Sequence, residues 1–341
     1  MYEKDSYTKN EILDLLRLTD REALSELYAL ADKVREKYVG NTIYLRGIIE
    51  FSNICAQDCT YCGIRRSNSS LHRYRLNINE IVKMAVDAEN MGYKTVVLQS
   101  GEDYYYDIDR IIQLIQGIKK STSLAVTMSI GERPFDEYRK MKEAGADRYL
   151  LKHETSDPVL YGKLHPNMSH ENRINCLKEL KSLGFETGSG IMIGLPGQTI
   201  ESIADDIVLF KELELDMIGM GPYLPHPETP LGQDFETTGG YKNPCFEGLN
   251  IEELVYKTLA VTRIVAKRVH LPATTALATI NEDDGRDLAL QRGANVIMLN
   301  VTAPEYKKYY EIYPAKVCLS ENEPVTLKQL EEKLNFLRPI F

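Results

Sequence analysis

The chain has 341 residues, 43% of them hydrophobic and 27% charged, with a formal net charge of −9. This is globular composition, enough for one large α/β barrel or two medium domains, and it excludes a disordered chain. The acidic balance argues against a protein that grips phosphate backbones, so no nucleic-acid partner is expected.

No apolar run approaches the ~20 residues needed to span a bilayer. The opening Met1-Tyr2-Glu3-Lys4-Asp5 lacks the charged-then-apolar layout of a signal peptide, so a cytoplasmic location without membrane attachment is expected. Residues 1–41 read as a helical extension before the main fold. Thr19 and Glu22 have capping-box spacing, and Leu24, Leu27, Leu30, Ala31, Val34 and Tyr38 recur at helical intervals.

From residue 42 onward, short apolar runs alternate with amphipathic segments. The runs are 43–51, 95–99, 124–130, 147–151, 186–194, 216–220, 271–277 and 294–299, and stretches such as Asn79 to Asn90 and Ser202 to Glu212 fit helices between them. Such alternation predicts an α/β fold, a (βα)8 TIM-type barrel over 42–318, with a doubly wound open sheet as the alternative. Residues 225–250 read as a polar loop inserted into that barrel, and 319–341 as a C-terminal helix or tail. In a barrel the loops after the strands' C-terminal ends carry the chemistry.

Directly after the first run, CAQDCTYC spaces Cys55, Cys59 and Cys62 as C-x3-C-x2-C, while Cys176, Cys245 and Cys318 are scattered. Four cysteines normally anchor an iron–sulfur cube, so a local set of three leaves one iron open to a small molecule. The competing readings are a zinc site, a disulfide pair, or buried cysteines acting as small apolar residues. Zinc lacks a fourth ligand at a familiar spacing, since His72 lies ten residues on. The spacing, with Tyr61 just before the last cysteine, resembles the signature of the radical S-adenosylmethionine (SAM) superfamily. That resemblance implies two cofactors: a [4Fe–4S] cluster and SAM, whose amino and carboxylate groups chelate the open iron.

Further candidates follow the later runs. Gly101, Glu102 and Asp103 combine a close-approach glycine with carboxylates able to accept bonds from an ammonium, and resemble the motif that receives SAM's amino group. An ordinary strand-to-helix turn is the alternative. Glu154 lies at a strand end beside the apolar YLL stretch, where a carboxylate is costly to bury unpaired, and the Arg173 fork suits a carboxylate bidentately; a solvated loop acid and an ordinary surface arginine are the alternatives. Ile191 and Met192 lie in a glycine-punctuated strand against which a flat adenine fits, although glycines also mark strand bends. His153, His165 and His226 carry no spacing that assigns them a role. Met217, Met220 and Met298 read by default as packing.

Beyond the cysteines, the phrases FSNICAQDCTYCGIRRSN, VVLQSGED, DRYLLKHET, ETGSGIMIGLPGQT, DMIGMGPYLPHPETPL, LPATTALATI and IYPAKVC resemble the HydE family of [FeFe]-hydrogenase maturases, from about Tyr38 to Cys318. The resemblance implies a complete barrel with cluster and SAM at the top of an internal cavity. It also implies an organometallic substrate, an iron–carbonyl–cyanide complex of cysteine supplied by a partner maturase. The 5′-deoxyadenosyl radical would attack its sulfur on the way to the two-iron subcluster. Transient contacts with other maturases and a reductant protein follow from the same resemblance. Carried over by position, Glu154, Arg173 and Ser129 meet SAM, while Gln99, Ser100, Thr127, Met217, Thr275, Met298 and Tyr313 line the cavity. Lys152 stands where the family has an arginine, and lysine lacks the planar fork for anions.

A biotin-synthase-like sulfur inserter, a methylornithine-synthase-like mutase acting on an amino acid, and a non-catalytic iron–sulfur scaffold are the competing functions. Some HydE relatives carry a second cluster on three C-terminal cysteines, where this chain has Cys318 alone. One cluster is therefore expected: anaerobic reconstitution should give about four irons and four sulfides per chain, and about eight of each would refute this.

Overall fold

The computed structural model describes residues 1–237 and 250–314. Cys245, Cys318 and the 319–341 tail lie outside the described residues. All eight apolar runs yield strands: β1 Tyr44–Ser52, β2 Thr95–Ser100, β3 Ala125–Ser129, β4 Arg148–Leu150, β5 Glu186–Ile193, β6 Met217–Pro222, β7 Pro272–Ala273 and β8 Val296–Asn300. They form one sheet in the order β6-β5-β4-β3-β2-β1-β8-β7, and every neighbouring pair is parallel. Parallel pairing follows from the helical crossovers between consecutive strands.

The two edges of this sheet come together through His270. Its N–H donates to the Asp216 carbonyl at 2.8 Å, and its carbonyl accepts from the Ile218 N–H at 3.0 Å, giving a parallel bridge between Met217 and His270. The sheet is thus a nearly closed barrel. β7 is shorter than the run 271–277 because Thr274 caps a new helix, Thr275–Ile280, its side chain accepting from the Leu277 N–H. That early stop places Thr275 at the barrel mouth instead of in a strand.

The outer layer is built from amphipathic helices. Ile81, Ala85 and Ala88 of helix Ile78–Asn90 and Ile111, Leu114, Ile115 and Ile118 of helix Ile108–Ser121 are buried against the sheet, at the i, i+3/i+4 spacing that makes one apolar face. Helix Ile251–Val265 is buried on every side from Leu254 to Val265, since helix Arg21–Val39 packs on its outer side. Lys257 fastens the two layers, its Nζ donating to the Leu18 carbonyl at 3.0 Å. Part of the 225–250 stretch read as a loop is helical, over Pro230–Thr237. Among the described residues no helix is long and apolar enough to cross a membrane.

The N-terminal cap differs from the sequence reading by one residue. Asp20, not Thr19, caps helix Arg21–Val39, its carboxylate accepting from the Ala23 N–H, while the capping box belongs to Thr8 and Glu11 of helix Lys9–Leu16. An ionised cap gains from the helix dipole as well as from the hydrogen bond. Asp20→Ala should cost about 1 kcal/mol in denaturant unfolding, with Thr19→Ala close to wild type; the reverse order would refute this cap assignment.

Candidate active site

A cavity of about 380 Å³ opens at the C-terminal ends of the strands and runs down inside the barrel. Side chains two apart on a strand share a face, so Arg46, Ile48 and Glu50 of β1 line one wall from floor to mouth. The loop that follows β1 carries the three cysteines. All line the cavity and all are free thiols.

The loop is held by its own backbone and by one arginine of the RYRL stretch at 73–76, to which the sequence reading gave no role. The Arg73 guanidinium donates to four carbonyls, those of Asn53 at 2.6 Å, Ile64 at 2.8 Å, Arg65 at 2.6 Å and Asn68 at 3.0 Å. Thr60 N–H donates to Leu164 O at 2.9 Å and Gly63 N–H to Ile312 O at 3.0 Å. Cys55 Sγ accepts from the Gln57 N–H at 3.4 Å and the Glu102 N–H at 3.3 Å. Gly101 earns its place through the same contact: a Cβ there would overlap the Ile54 carbonyl oxygen and come within 2.7 Å of Cys55 Cβ. The glycine therefore admits the cysteine loop.

Burial pushes all three thiols up, Cys62 to about 12, and the neighbouring cysteines push Cys59 and Cys62 further. Buried thiolates so close together need a positive partner to ionise, as when they bind a metal group. Among the described residues no set of three His, Cys, Asp or Glu side chains is arranged to hold a single ion. The donor set, three thiols on one loop without a fourth, fits a three-point anchor for an iron–sulfur cube.

Beside the cysteines stands a chain of charged groups. Burial raises the Glu102 carboxyl; its Oε2 accepts from Gln57 Nε2 at 2.6 Å and its Oε1 from the Glu132 N–H at 3.0 Å. Gly131, at φ +78°, leaves room for this carboxylate. Glu132 in turn accepts from Arg173 Nε at 2.6 Å, and Arg173 Nη1 donates to the Lys152 carbonyl at 2.7 Å. Gln57 and Glu132, absent from the sequence reading, thus fix Glu102 and Arg173. Gln57 is a spacer position inside the cysteine motif and Glu132 sits in no motif, and nothing in their spacing announces these roles.

Glu154 has the left-handed φ of +64°, a conformation costing a non-glycine residue on the order of 1 kcal/mol. Sheet bonds on both sides hold it: its N–H donates to Gly190 O at 2.9 Å and its carbonyl accepts from Met192 N–H at 3.3 Å. Its Oε2 is buried with no hydrogen-bond partner, 4.0 Å from Lys152 Nζ. Tyr61 OH lies 3.0 Å from His165 Nε2. Burial and the nearby Arg173 lower His165 to about 3, so the ring is neutral. Its Nδ1 faces the Tyr161 carbonyl at 3.3 Å and must carry the proton, which leaves Nε2 to accept from the tyrosine.

Two of the expected cofactor residues do not face the cavity. Asp103 is gripped from behind, Oδ2 accepting from Arg75 Nε and from Ser52 Oγ, each at 2.7 Å, and Oδ1 from Arg75 Nη2 at 2.9 Å. Ile191 packs fully buried in the hydrophobic core, because strand alternation sends it outward where its neighbour Met192 turns in. Tyr61, Gly101, Glu102, Ser129, Glu154, Arg173 and Met192 do line the cavity. So do Gln99, Ser100, Thr127, Lys152, Met217, Thr275, Met298 and Tyr313. At the floor, Arg46 Nη1 sits 2.6 Å from Met217 Sδ, beside Met298 of β8, its register partner.

Residues 49–210 match the Radical SAM superfamily. The [FeFe] hydrogenase maturase subunit HydE of Thermotoga maritima is 47% identical over 333 residues, covering 96% of this chain and 91% of its own. A 3-methylornithine synthase of Methanosarcina barkeri is 32% identical over 85% of this chain and 78% of its own. Among solved structures, methylornithine synthase (PylB) aligns with a TM-score of 0.83 at 28% identity, over 98% of this chain and 94% of that one. The maturase HydG aligns with a TM-score of 0.79 at 21% identity, over 97% of this chain and 71% of that one, a likeness of fold.

Gly101→Ala should push the cysteine loop off β2. Iron incorporation on reconstitution should fall at least severalfold while circular dichroism stays native; full iron loading in this variant would refute the close-approach role of the glycine.

Proposed function

The chain belongs to the radical SAM superfamily and, within it, to the HydE-type [FeFe]-hydrogenase maturases, and from that premise we propose that Cys55, Cys59 and Cys62 hold one [4Fe–4S] cluster at the cavity mouth, with SAM between them and Glu154. When bound, the cluster supplies the electron that cleaves SAM's sulfonium and releases a 5′-deoxyadenosyl radical. The protein's part is to bind, orient and shield.

The observation that carries this reading is the pairing, across one cavity, of three half-buried free thiols with a Glu154 carboxylate whose buried Oε2 has no hydrogen-bond partner and only Lys152 Nζ at 4.0 Å. A carboxylate left in that state is stabilised by a donor-bearing or cationic ligand, and SAM offers an ammonium, a sulfonium and ribose hydroxyls. Glu102, preset by Gln57 and Glu132, accepts from the ammonium; Arg173, clamped by Glu132 and the Lys152 carbonyl, turns its remaining N–H groups to the carboxylate. Met192 backs the adenine, Ser129 lies beside it, and Tyr61 closes the edge from its bond to His165.

Deeper in the cavity, Gln99, Ser100, Thr127, Lys152, Met217, Thr275, Met298 and Tyr313 surround the substrate. We assign that space to an iron–carbonyl–cyanide complex of cysteine. Soft thioethers and apolar walls exclude water from a reactive radical, and Lys152 offers one mobile point charge to an anionic ligand where an arginine would offer a fixed fork. The precursor then comes from a partner maturase, with a reductant protein docking transiently.

The test is to reconstitute the protein anaerobically, reduce it with dithionite, add SAM, and look for 5′-deoxyadenosine by chromatography and for a SAM-dependent change in the EPR spectrum. Wild type should produce both and Cys59→Ala neither, and the iron–cyanide–cysteine complex should raise turnover. An intact cluster with no deoxyadenosine and no spectral change would leave a scaffold in place of an enzyme. Stimulation by lysine instead of the iron complex would favour a methylornithine-type mutase.

A further inference from the structure

The segment after β4 that delivers Lys152 and Glu154 to the cavity sends the residue between them the other way. His153 is fully buried behind the barrel wall, its ring against Phe210 of helix Ile200–Glu212 at a centroid distance of 5.7 Å. It does not line the site cavity and takes part in none of the steps described above. Yet its backbone and Nδ1 are both anchored on β5. Ser189 Oγ of β5 donates to the Leu151 carbonyl at 2.8 Å, lies 3.2 Å from the His153 N–H and 2.8 Å from His153 Nδ1.

The protons can be assigned from these contacts. The single Ser189 hydroxyl proton goes to the Leu151 carbonyl, so the serine oxygen accepts from both the His153 N–H and Nδ1–H. On the far side of the ring, Nε2 faces Asp206 Oδ1 at 3.6 Å, and that oxygen also accepts from the Ser156 N–H at 2.5 Å. Burial pushes the Asp206 carboxyl up. Nε2 itself has no hydrogen-bond partner, so Asp206 acts on this segment through its bond to the Ser156 N–H. Leu151, His153 and Ser156 are thereby tied to β5 and to helix Ile200–Glu212, on either side of Glu154.

We propose that His153 is a positioning residue: with Ser189 and Asp206 it fixes the left-handed turn at Glu154 and so aims that carboxylate at SAM. Alternation makes the coupling direct, since rotating the segment to free His153 would swing Lys152 and Glu154 out of the cavity together. The inference rests on the reading of Glu154 as a SAM contact.

The experiment is calorimetric titration of SAM into the reconstituted, cluster-loaded protein, with iron content measured on each sample. His153→Phe should weaken SAM binding about tenfold, the scale of losses from outer-shell partners, with iron per chain unchanged. His153→Asn, which keeps an N–H for Ser189, should recover most of that loss. In the Glu154→Gln background the same His153→Phe change should add nothing further, because its effect passes through the carboxylate. Wild-type affinity in His153→Phe, or a double variant as weak as the product of the two single losses, would overturn the proposal while leaving Glu154 as a contact. Wild-type affinity in Glu154→Gln would remove both. Should His153→Phe fail to fold, Ser189→Ala removes the hydroxyl that joins Leu151 to His153 and must weaken binding in the same direction, and unchanged affinity there overturns the proposal as well.

Discussion

The site depends on how closely the cysteine loop lies against the end of β2. Gly101 N–H donates to Ser52 O at 3.0 Å and Ala56 N–H to Glu102 O at 2.9 Å, and Glu102 N–H points at Cys55 Sγ. The exits of β1 and β2 are therefore joined through cavity-lining residues of the candidate site, and any side chain at Gly101 would separate them. Asp103 completes the joint from the outside by binding Ser52 and Arg75. Its carboxylate serves the scaffold, which is why it is unavailable to a ligand.

From this joint a charge network extends around the mouth. Each buried ionic group costs desolvation unless it is paired, and here the pairs run in sequence: Gln57 to Glu102, Glu132 backbone to Glu102, Glu132 side chain to Arg173, Arg173 to the Lys152 carbonyl. The groups left over are informative. Glu154 Oε2 and Thr127 Oγ1 line the cavity, buried and without hydrogen-bond partners. A ligand that satisfies them gains their full bonding energy without reorganising the protein, the usual advantage of a preset site.

Reading the sequence worked best where chemistry is local. The three cysteines occupy one loop, so their spacing alone marks them as one candidate ligand set; Glu154 follows a short apolar strand, so a carboxylate at the cavity wall was legible there. It worked least well where function depends on a partner from elsewhere in the chain. Glu132 and Gln57 look like ordinary loop residues until Arg173 and Glu102 are placed beside them. Asp103 and Ile191 stood next to true lining residues, but strand alternation and the Arg75 clamp turn them away. The misplaced cap at Thr19 and the shortened β7 have the same origin, since several neighbouring residues satisfy a local rule and backbone geometry selects one.

By itself, the sequence determined the number and order of the strands, the thiol set, and the acid and base types available for a site, because hydrophobic period and cysteine spacing are properties of short segments. The tertiary structure alone decided which side chains face the cavity, which carboxylates are already engaged, and which polar atoms remain unpaired. Those outcomes depend on residues about 30 to 170 positions apart meeting in space, as Glu102 meets Glu132, Arg173 meets Glu132, and Arg46 meets Met217. A linear pattern carries no record of such meetings until the barrel closes.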